Sequence, residues 1–514
     1  MLINIASYSQ LSNSLDGLIV ASMTGRADVA ATLAASGLPV ELTAFVDGAF
    51  TSSDVSGRYF DVDDPATGAI VARVAESSAA TVEAAVRGAH EAYLSWRAID
   101  PAERGRRLAA VAAAVRRDAD LLARLETIDS GKPLSQARAD IAGSARYFEY
   151  YAGLADKLQG ETIPQPAGTL AYTVREPYGV IAHVTPWNAP LTQLARGVAP
   201  SLATGNAVVA KPSELTPLTT LFAARLMVEA GLPAGLCNVV LGAGDPTGEQ
   251  LILHELVRHI TFTGSVATGR KVGTVAAQRI VGVNLELGGK SPTIVCADAD
   301  LEAAARAGAN AVVRNSGQSC FATTRLLVHR SVHDRFVELL ADRMAGLSTG
   351  HGLDEPDVGP LISQRQFERV MSFVDAARAS GVEVVRGGDR ADVGGGHFFT
   401  PTLLAGVRND MPVAREEIFG PVQSVLAFDD LDEAVAIAND TEYGLSAGVF
   451  TRDVATAHRL AARLEAGQVQ INRYVGAGVE IPFGGYKNSG LGREKGVDAM
   501  QHYTQVKSVI VDLA

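Results

Sequence analysis

A thiol is the softest nucleophile a chain can offer, and this one holds three cysteines in 514 residues. Cys237, in Leu236-Cys237-Asn238-Val239, and Cys296, in Ile294-Val295-Cys296, sit in apolar runs that read as strands, where free cysteine is ordinarily inert core. Cys320 is different. It closes the small, polar run Asn315-Ser316-Gly317-Gln318-Ser319-Cys320 after a helical stretch, where a thiol can be partly exposed and its pKa lowered. That makes Cys320 the candidate nucleophile. Three cysteines in so long a chain do not make a disulfide framework, so a reducing compartment, the cytoplasm, is expected.

Two further side chains could act beside a thiol. Glu286 is a carboxylate at a strand end in Leu285-Glu286-Leu287-Gly288-Gly289-Lys290, on the face opposite both leucines, where a solvent-facing strand residue is the plain expectation. Asn188, in Trp187-Asn188-Ala189-Pro190, stands between a strand and a helix, where a simple helix cap is the plain expectation. Of two glycine-rich turns, Gly242-Ala243-Gly244-Asp245-Pro246-Thr247-Gly248 misses the dinucleotide spacing because its third glycine comes one residue late. The second, Phe262-Thr263-Gly264-Ser265, ends a strand and opens a helix on a serine. Free N–H groups and the helix dipole there suit a pyrophosphate.

These residues need a scaffold. From residue 179 short apolar strands (179–184, 206–211, 237–241, 259–262) alternate with helices (190–203, 218–230 and one from 265). A second alternating block runs from 291 to 483, with strands at 293–296 and 326–329 and helices at 301–314 and 332–344. That pattern predicts an α/β protein with two open parallel sheets and a cleft between them. Upstream, 44–50 and 60–74 read as short strands with a turn at 64–68, and 79–96 and 102–127 as amphipathic helices. Segments 169–175 and 503–511 fit neither sheet and are rich enough in β-branched residues to pair with each other.

With 45 Lys+Arg against 57 Asp+Glu, the net charge is −12 and the basic residues are scattered. Neither nucleic acid nor an anionic membrane surface is an expected partner. No run reaches the 18 or so apolar residues of a membrane span. The apolar run 18–23 is too short and lacks the basic flank of a secretory leader, so residues 1–40 are expected to be a poorly ordered extension. No metal site is expected.

Taken together, Pro186-Trp187-Asn188, Lys211-Pro212-Ser213-Glu214, Phe262-Thr263-Gly264-Ser265, Glu286-Leu287-Gly288-Gly289-Lys290, Gly317-Gln318-Ser319-Cys320, Glu417-Ile418-Phe419-Gly420-Pro421 and Pro482-Phe483-Gly484-Gly485-Tyr486-Lys487 resemble the NAD(P)-dependent aldehyde dehydrogenase superfamily, in its order and spacing. The resemblance implies a Rossmann-like NAD-binding domain (41–160 and 178–288), a catalytic domain (289–488) and a small β bridging element (161–177 and 489–514) that makes a homodimer or homotetramer. It implies Cys320 as nucleophile, Asn188 as oxyanion donor and Glu286 as the base that activates the hydrolytic water. Lys211 and Glu214 would hold the adenosine ribose, Gly264 and Ser265 the pyrophosphate, and Glu417, Phe419 and Trp187 the nicotinamide end. Glu214 favours NAD over NADP, because a carboxylate repels a 2′-phosphate. Relatives that pass the acyl group to coenzyme A lack the glutamate at Glu286, so a free acid is the expected product.

The resemblance also bears on the substrate. Gln193 and Arg196 share a helix face with Ala189 and Thr192, and Phe483 lies in a matching motif. In succinate-semialdehyde dehydrogenases an arginine matching Arg196 and one six residues before the nucleophile, here Arg314, grip the substrate carboxylate. Gly478 and Ala322 depart from that subfamily. A carboxylated aldehyde and a neutral aldehyde are therefore both expected substrates; ion pairing is the structural alternative for Arg196, and a place at a helix C-terminus for Arg314.

Overall fold

The computed structural model describes residues 25–39, 41–52, 56–474 and 478–513. Between the N-terminal helix Gly25–Ser36 and the parallel strands of the first large sheet lie four helices: α1 (Ala79–Trp96), α2 (Pro101–Arg117), α3 (Ala119–Ser130) and α4 (Leu134–Ala152). Ser78 caps α1, and Asp100 followed by Pro101 starts α2, side-chain acceptors that satisfy orphan N–H groups. The helix expected over 102–127 breaks at Asp118, which serves as C-cap of α2 and N-cap of α3. Helix α4 fills a stretch that the sequence pattern left unassigned.

The first large sheet has five parallel central strands: β2 (Val180–Val184), β3 (Ala207–Lys211), β4 (Cys237–Val239), β5 (Val257–Thr263) and β6 (Gly282–Glu286), in the order β6-β5-β2-β3-β4. Helix α5 (Pro190–Ala203) follows β2, and α6 (Leu218–Glu229) follows β3. Helix α7 (Val266–Arg279) connects β5 to β6. Strand Gly490–Leu491 adds antiparallel to β6, so this piece of the segment expected to bridge belongs to the cofactor-side sheet instead. Strand β1 (Thr169–Pro177) pairs antiparallel along its whole length with the C-terminal strand Thr504–Asp512, as the two extended segments predict.

The second sheet comprises β7 (Pro292–Val295), β8 (Arg325–His329), β9 (Thr402–Ala405), β10 (Val422–Phe428), β11 (Ser446–Phe450) and β12 (Gln468–Ile471). They run parallel in the order β9-β10-β8-β7-β11-β12, with Glu383–Arg386 antiparallel on the outer edge of β9. Alternate residues face opposite cores: Ile294, Leu327 and Leu426 join one cluster, Val295, Leu326 and Val425 the other. Both faces are therefore covered, which explains the continuous apolar runs.

Within the extension expected to be poorly ordered, Gly25–Ser36 forms a helix. Asp28 pairs with Arg124 of α3, and Arg225 of α6 donates to the carbonyls of Ser36 and Gly37. The apolar run 18–23 lies outside the described residues. Among the described residues no helix is long and apolar enough to cross a membrane.

Candidate active site

Four of the candidate groups stand at the C-terminal ends of parallel strands, where ligands collect in open α/β sheets. Lys211 ends β3; it is buried, donates to the Pro212 carbonyl and lies 3.8 Å from the half-exposed Glu214. Burial lowers its pKa, and Glu214 opposes that shift. Gly264 and Ser265 follow β5. Ser265 caps α7 by accepting from Thr268 N (3.2 Å), and the helix's other first-turn N–H groups have no intrahelical partner. Glu286 ends β6. The solvent-facing alternative fails, because its carboxylate is buried and neither oxygen finds a hydrogen-bond partner among the described residues. Burial first, and the nearby Glu494 second, hold its carboxyl well above the usual range.

Asn188 follows β2, but α5 starts on Pro190 with Ala189 in the capping place, so the helix-cap alternative fails as well. The Asn188 amide donates to the Gln318 carbonyl (3.1 Å), which ties it to the segment before Cys320 and leaves its second N–H to give. That segment is tightly wound. Asn315, Ser316 and Gly317 all have left-handed φ (48°, 56° and 72°), strained for the first two because a side chain crowds the backbone there. Side chains hold the strain: Asn315 Nδ2 donates to the Asn188 carbonyl (2.8 Å), Ser316 Oγ to Gly359 O (2.8 Å), and Gln318 Oε1 accepts from Ile362 N (2.9 Å). A Cβ at Gly317 would lie 2.2 Å from the Gly420 carbonyl, so only glycine fits.

Cys320 is partly exposed, whereas Cys237 and Cys296 are buried. Burial around its thiol pushes the pKa up to about 12; the Arg196 guanidinium and the thiol's own backbone N–H pull the other way. The polar loop alone, therefore, does not produce the lowered pKa that its composition suggests.

Glu417 and Phe419 come from the other sheet, on the segment leading into β10. Gly289 N donates to Glu417 Oε1 (3.2 Å), and burial raises the Glu417 carboxyl to about 7. Phe419 has a left-handed φ of 60°, fixed by Gln366 donating to the carbonyls of Ile418 and Phe419, and its ring meets Trp187 edge-on at 5.2 Å. A pocket built for a dinucleotide needs an anion-holding helix start and a hydroxyl-accepting carboxylate; Ser265 with α7 and Glu417 supply both, so these residues fit NAD.

The two arginines are already engaged. Arg196 is buried in an ion pair with the buried Glu494, and its guanidinium lies 5.3 Å from the Phe483 ring centroid. Arg314, at the end of the helix Leu301–Val313, is half-exposed, 3.3 Å from Asp140 and 5.7 Å over Phe321. Gln193 is buried, and its carbonyl faces His183 Nε2 at 3.0 Å. Phe483, Phe321 and Tyr474 form an aromatic cluster next to Cys320. Glu494, Phe321 and Tyr474 escaped the sequence reading. Phe321 at least adjoins Cys320, but nothing in the spacing of Gly492-Arg493-Glu494-Lys495 marks a counter-ion for a helix three hundred residues earlier.

The two sheets thus carry a thiol, a bare carboxylate and residues that fit a dinucleotide. The description "Aldehyde dehydrogenase family" fits residues 50–509. The chain belongs to the aldehyde dehydrogenase family. Among its relatives, DhaS of Bacillus subtilis (strain 168), named for the same activity, is 42% identical over 473 residues, 91% of this chain and 95% of that one. An aldehyde dehydrogenase from Bacillus cereus, solved as its NAD+ complex, is 39% identical with a TM-score of 0.91, over 96% of this chain and 99% of that one. A betaine aldehyde dehydrogenase from Staphylococcus aureus, also solved with NAD+, is 37% identical with a TM-score of 0.89, over 92% of this chain and 95% of that one.

Proposed function

We propose that this aldehyde dehydrogenase oxidises a neutral aldehyde to the carboxylic acid with NAD, using Cys320, Asn188 and Glu286. The observation that carries the substrate half of this reading is the pairing of Arg196 with Glu494 and of Arg314 with Asp140. A substrate carboxylate would have to displace a protein carboxylate from a buried guanidinium, stranding Glu494 as an unpaired charge. The aromatic cluster of Phe321, Tyr474 and Phe483 offers an apolar body of substrate a better surface.

In this reading the Cys320 thiolate attacks the carbonyl carbon, and a C–S bond forms as the carbonyl oxygen becomes an oxyanion. The free N–H of Asn188 and the backbone N–H of Cys320 donate to that oxyanion. NAD, when bound, accepts the hydride. Collapse of the oxyanion with loss of hydride leaves a thioester on Cys320. Glu286 then takes a proton from water, whose oxygen attacks the acyl carbon; the C–S bond breaks and the acid leaves. A base in a dry site with an upward-shifted pKa suits that work, since it takes a proton more willingly than an exposed carboxylate. Lys211 and Glu214 would hold the adenosine ribose, Gly264 and Ser265 the pyrophosphate, and Glu417, Phe419 and Trp187 the nicotinamide end. The exposed apolar side chains Val506 and Ile510 on the outer bridging strand fit an assembly of like chains, as a homodimer or homotetramer.

A substrate panel tests the reading: kcat/KM for butanal or pentanal is expected to exceed that for succinate semialdehyde by about tenfold or more, the equivalent of roughly 1.4 kcal/mol. The reverse order would return the arginines to the substrate.

A further inference from the structure

Behind the loop Gly288 to Ser291 the catalytic domain holds a cavity that no step above uses. Its wall includes Lys290, Ser291, Tyr443 and Ser446, and it reaches the surface beside the exposed Glu465, with room for about one water-sized sphere. Ser291 and Ser446 stand at the leading ends of the neighbouring parallel strands β7 and β11, so the sheet itself sets them side by side. Among the described residues Lys290 Nζ, Ser291 Oγ and Ser446 Oγ, all buried, have no hydrogen-bond partner. Buried polar atoms are almost always paired, and the space these residues share is the cavity they line.

The charge balance says what kind of partner is missing. Lys290 is 1% exposed. The adjoining Arg325 is fully buried and donates only to neutral oxygens: the carbonyls of Lys290 (3.1 Å), Ile437 (3.1 Å) and Ala438 (2.8 Å), and Asn409 Oδ1 (3.3 Å). Two buried cations therefore stand together without a carboxylate hydrogen-bonded to either, which is costly in a low-dielectric interior. We propose that Lys290, Ser291 and Ser446 form a binding site for a small monovalent inorganic anion. Burial first and Arg325 second pull the Lys290 ammonium down to about 7, although Glu417 and Glu416 act on it through space in the opposite sense, and an anion beside it would hold it charged. The adjacent Gly289 donates to Glu417 and packs against the Cys320 carbonyl, so an anion here also anchors the loop that joins both groups.

Crystals of the full chain grown in sodium bromide test this by anomalous scattering. The expected result is a bromide peak within hydrogen-bonding distance of Lys290 Nζ, lost in Ser446→Val, which fills the cavity and removes a donor. In solution, chloride is expected to raise the wild-type Tm relative to gluconate at equal ionic strength, with no such rise in Ser446→Val or Lys290→Met. Bromide found only on the surface, water alone in the cavity, or a Tm indifferent to the anion would each overturn the proposal.

Discussion

The two sheets supply the site in opposite ways. The cofactor-side sheet presents groups at the trailing ends of its strands: Lys211 on β3, Gly264 just past β5, Glu286 on β6 and Asn188 past β2. The catalytic sheet presents groups on the segments that lead into its strands: Cys320 before β8, Glu417 and Phe419 before β10. Trailing-end groups are aimed by the hydrogen-bond ladder itself, as Glu286 is by its pairing with Thr263 and Gly490. Leading-segment groups are aimed by side chains clamping left-handed backbone: Gln318, Asn315 and Ser316 around Cys320, and Gln366 under Phe419. Asn188 joins the two systems through two hydrogen bonds, donating its amide to the Gln318 carbonyl and accepting at its own carbonyl from Asn315.

Removing each side's chemical group should separate the two contributions. Cys320→Ala is expected to lower kcat by at least about 10⁴-fold while NAD still binds, read by nicotinamide fluorescence; steady NADH production would move the nucleophile elsewhere. Asn188→Ala removes a trailing-end donor and the tie to Gln318, with an expected loss of about 10²- to 10³-fold in kcat. A loss confined to KM would make Asn188 a positioning residue only.

Glu494→Gln gives the smallest effect but the sharpest. Glu494 helps hold the Glu286 carboxyl up, and Arg196, freed of its partner, pulls it down. Both changes lower the Glu286 pKa. The base works ionised, so the rise of kcat with pH should move to lower pH in the variant. An unmoved acid limb in the pH profile would uncouple Glu494 from Glu286. The broken ion pair is also expected to cost about 3 kcal/mol of stability, seen as a lower Tm.

The same contrast explains what the sequence made legible. Short apolar runs ending in Lys211, Thr263 and Glu286 announce both the strand and its last side chain, so the trailing-end groups could be placed from the pattern. Cys320 could be singled out by its polar surroundings, but not the left-handed turn that carries it. That turn depends on Gly359, Ile362 and Gly420, distant in sequence. The arginines were legible only in part. Helical spacing put Arg196 on the right face, yet its meaning lay in Glu494, which only the return of Gly490–Leu491 onto β6 brings near. The break at Asp118 was hidden because alanine, leucine and arginine continue a helical pattern across it.

The central claim is the division of labour between a thiol on one sheet and a base on the other. It is tested most directly by intact-protein mass spectrometry of Glu286→Gln mixed with an aldehyde and NAD. The account predicts one burst of NADH and an acyl adduct that maps to the peptide containing Cys320, because attack and hydride loss proceed while hydrolysis stalls. Full turnover without adduct, or an adduct on another residue, would contradict it.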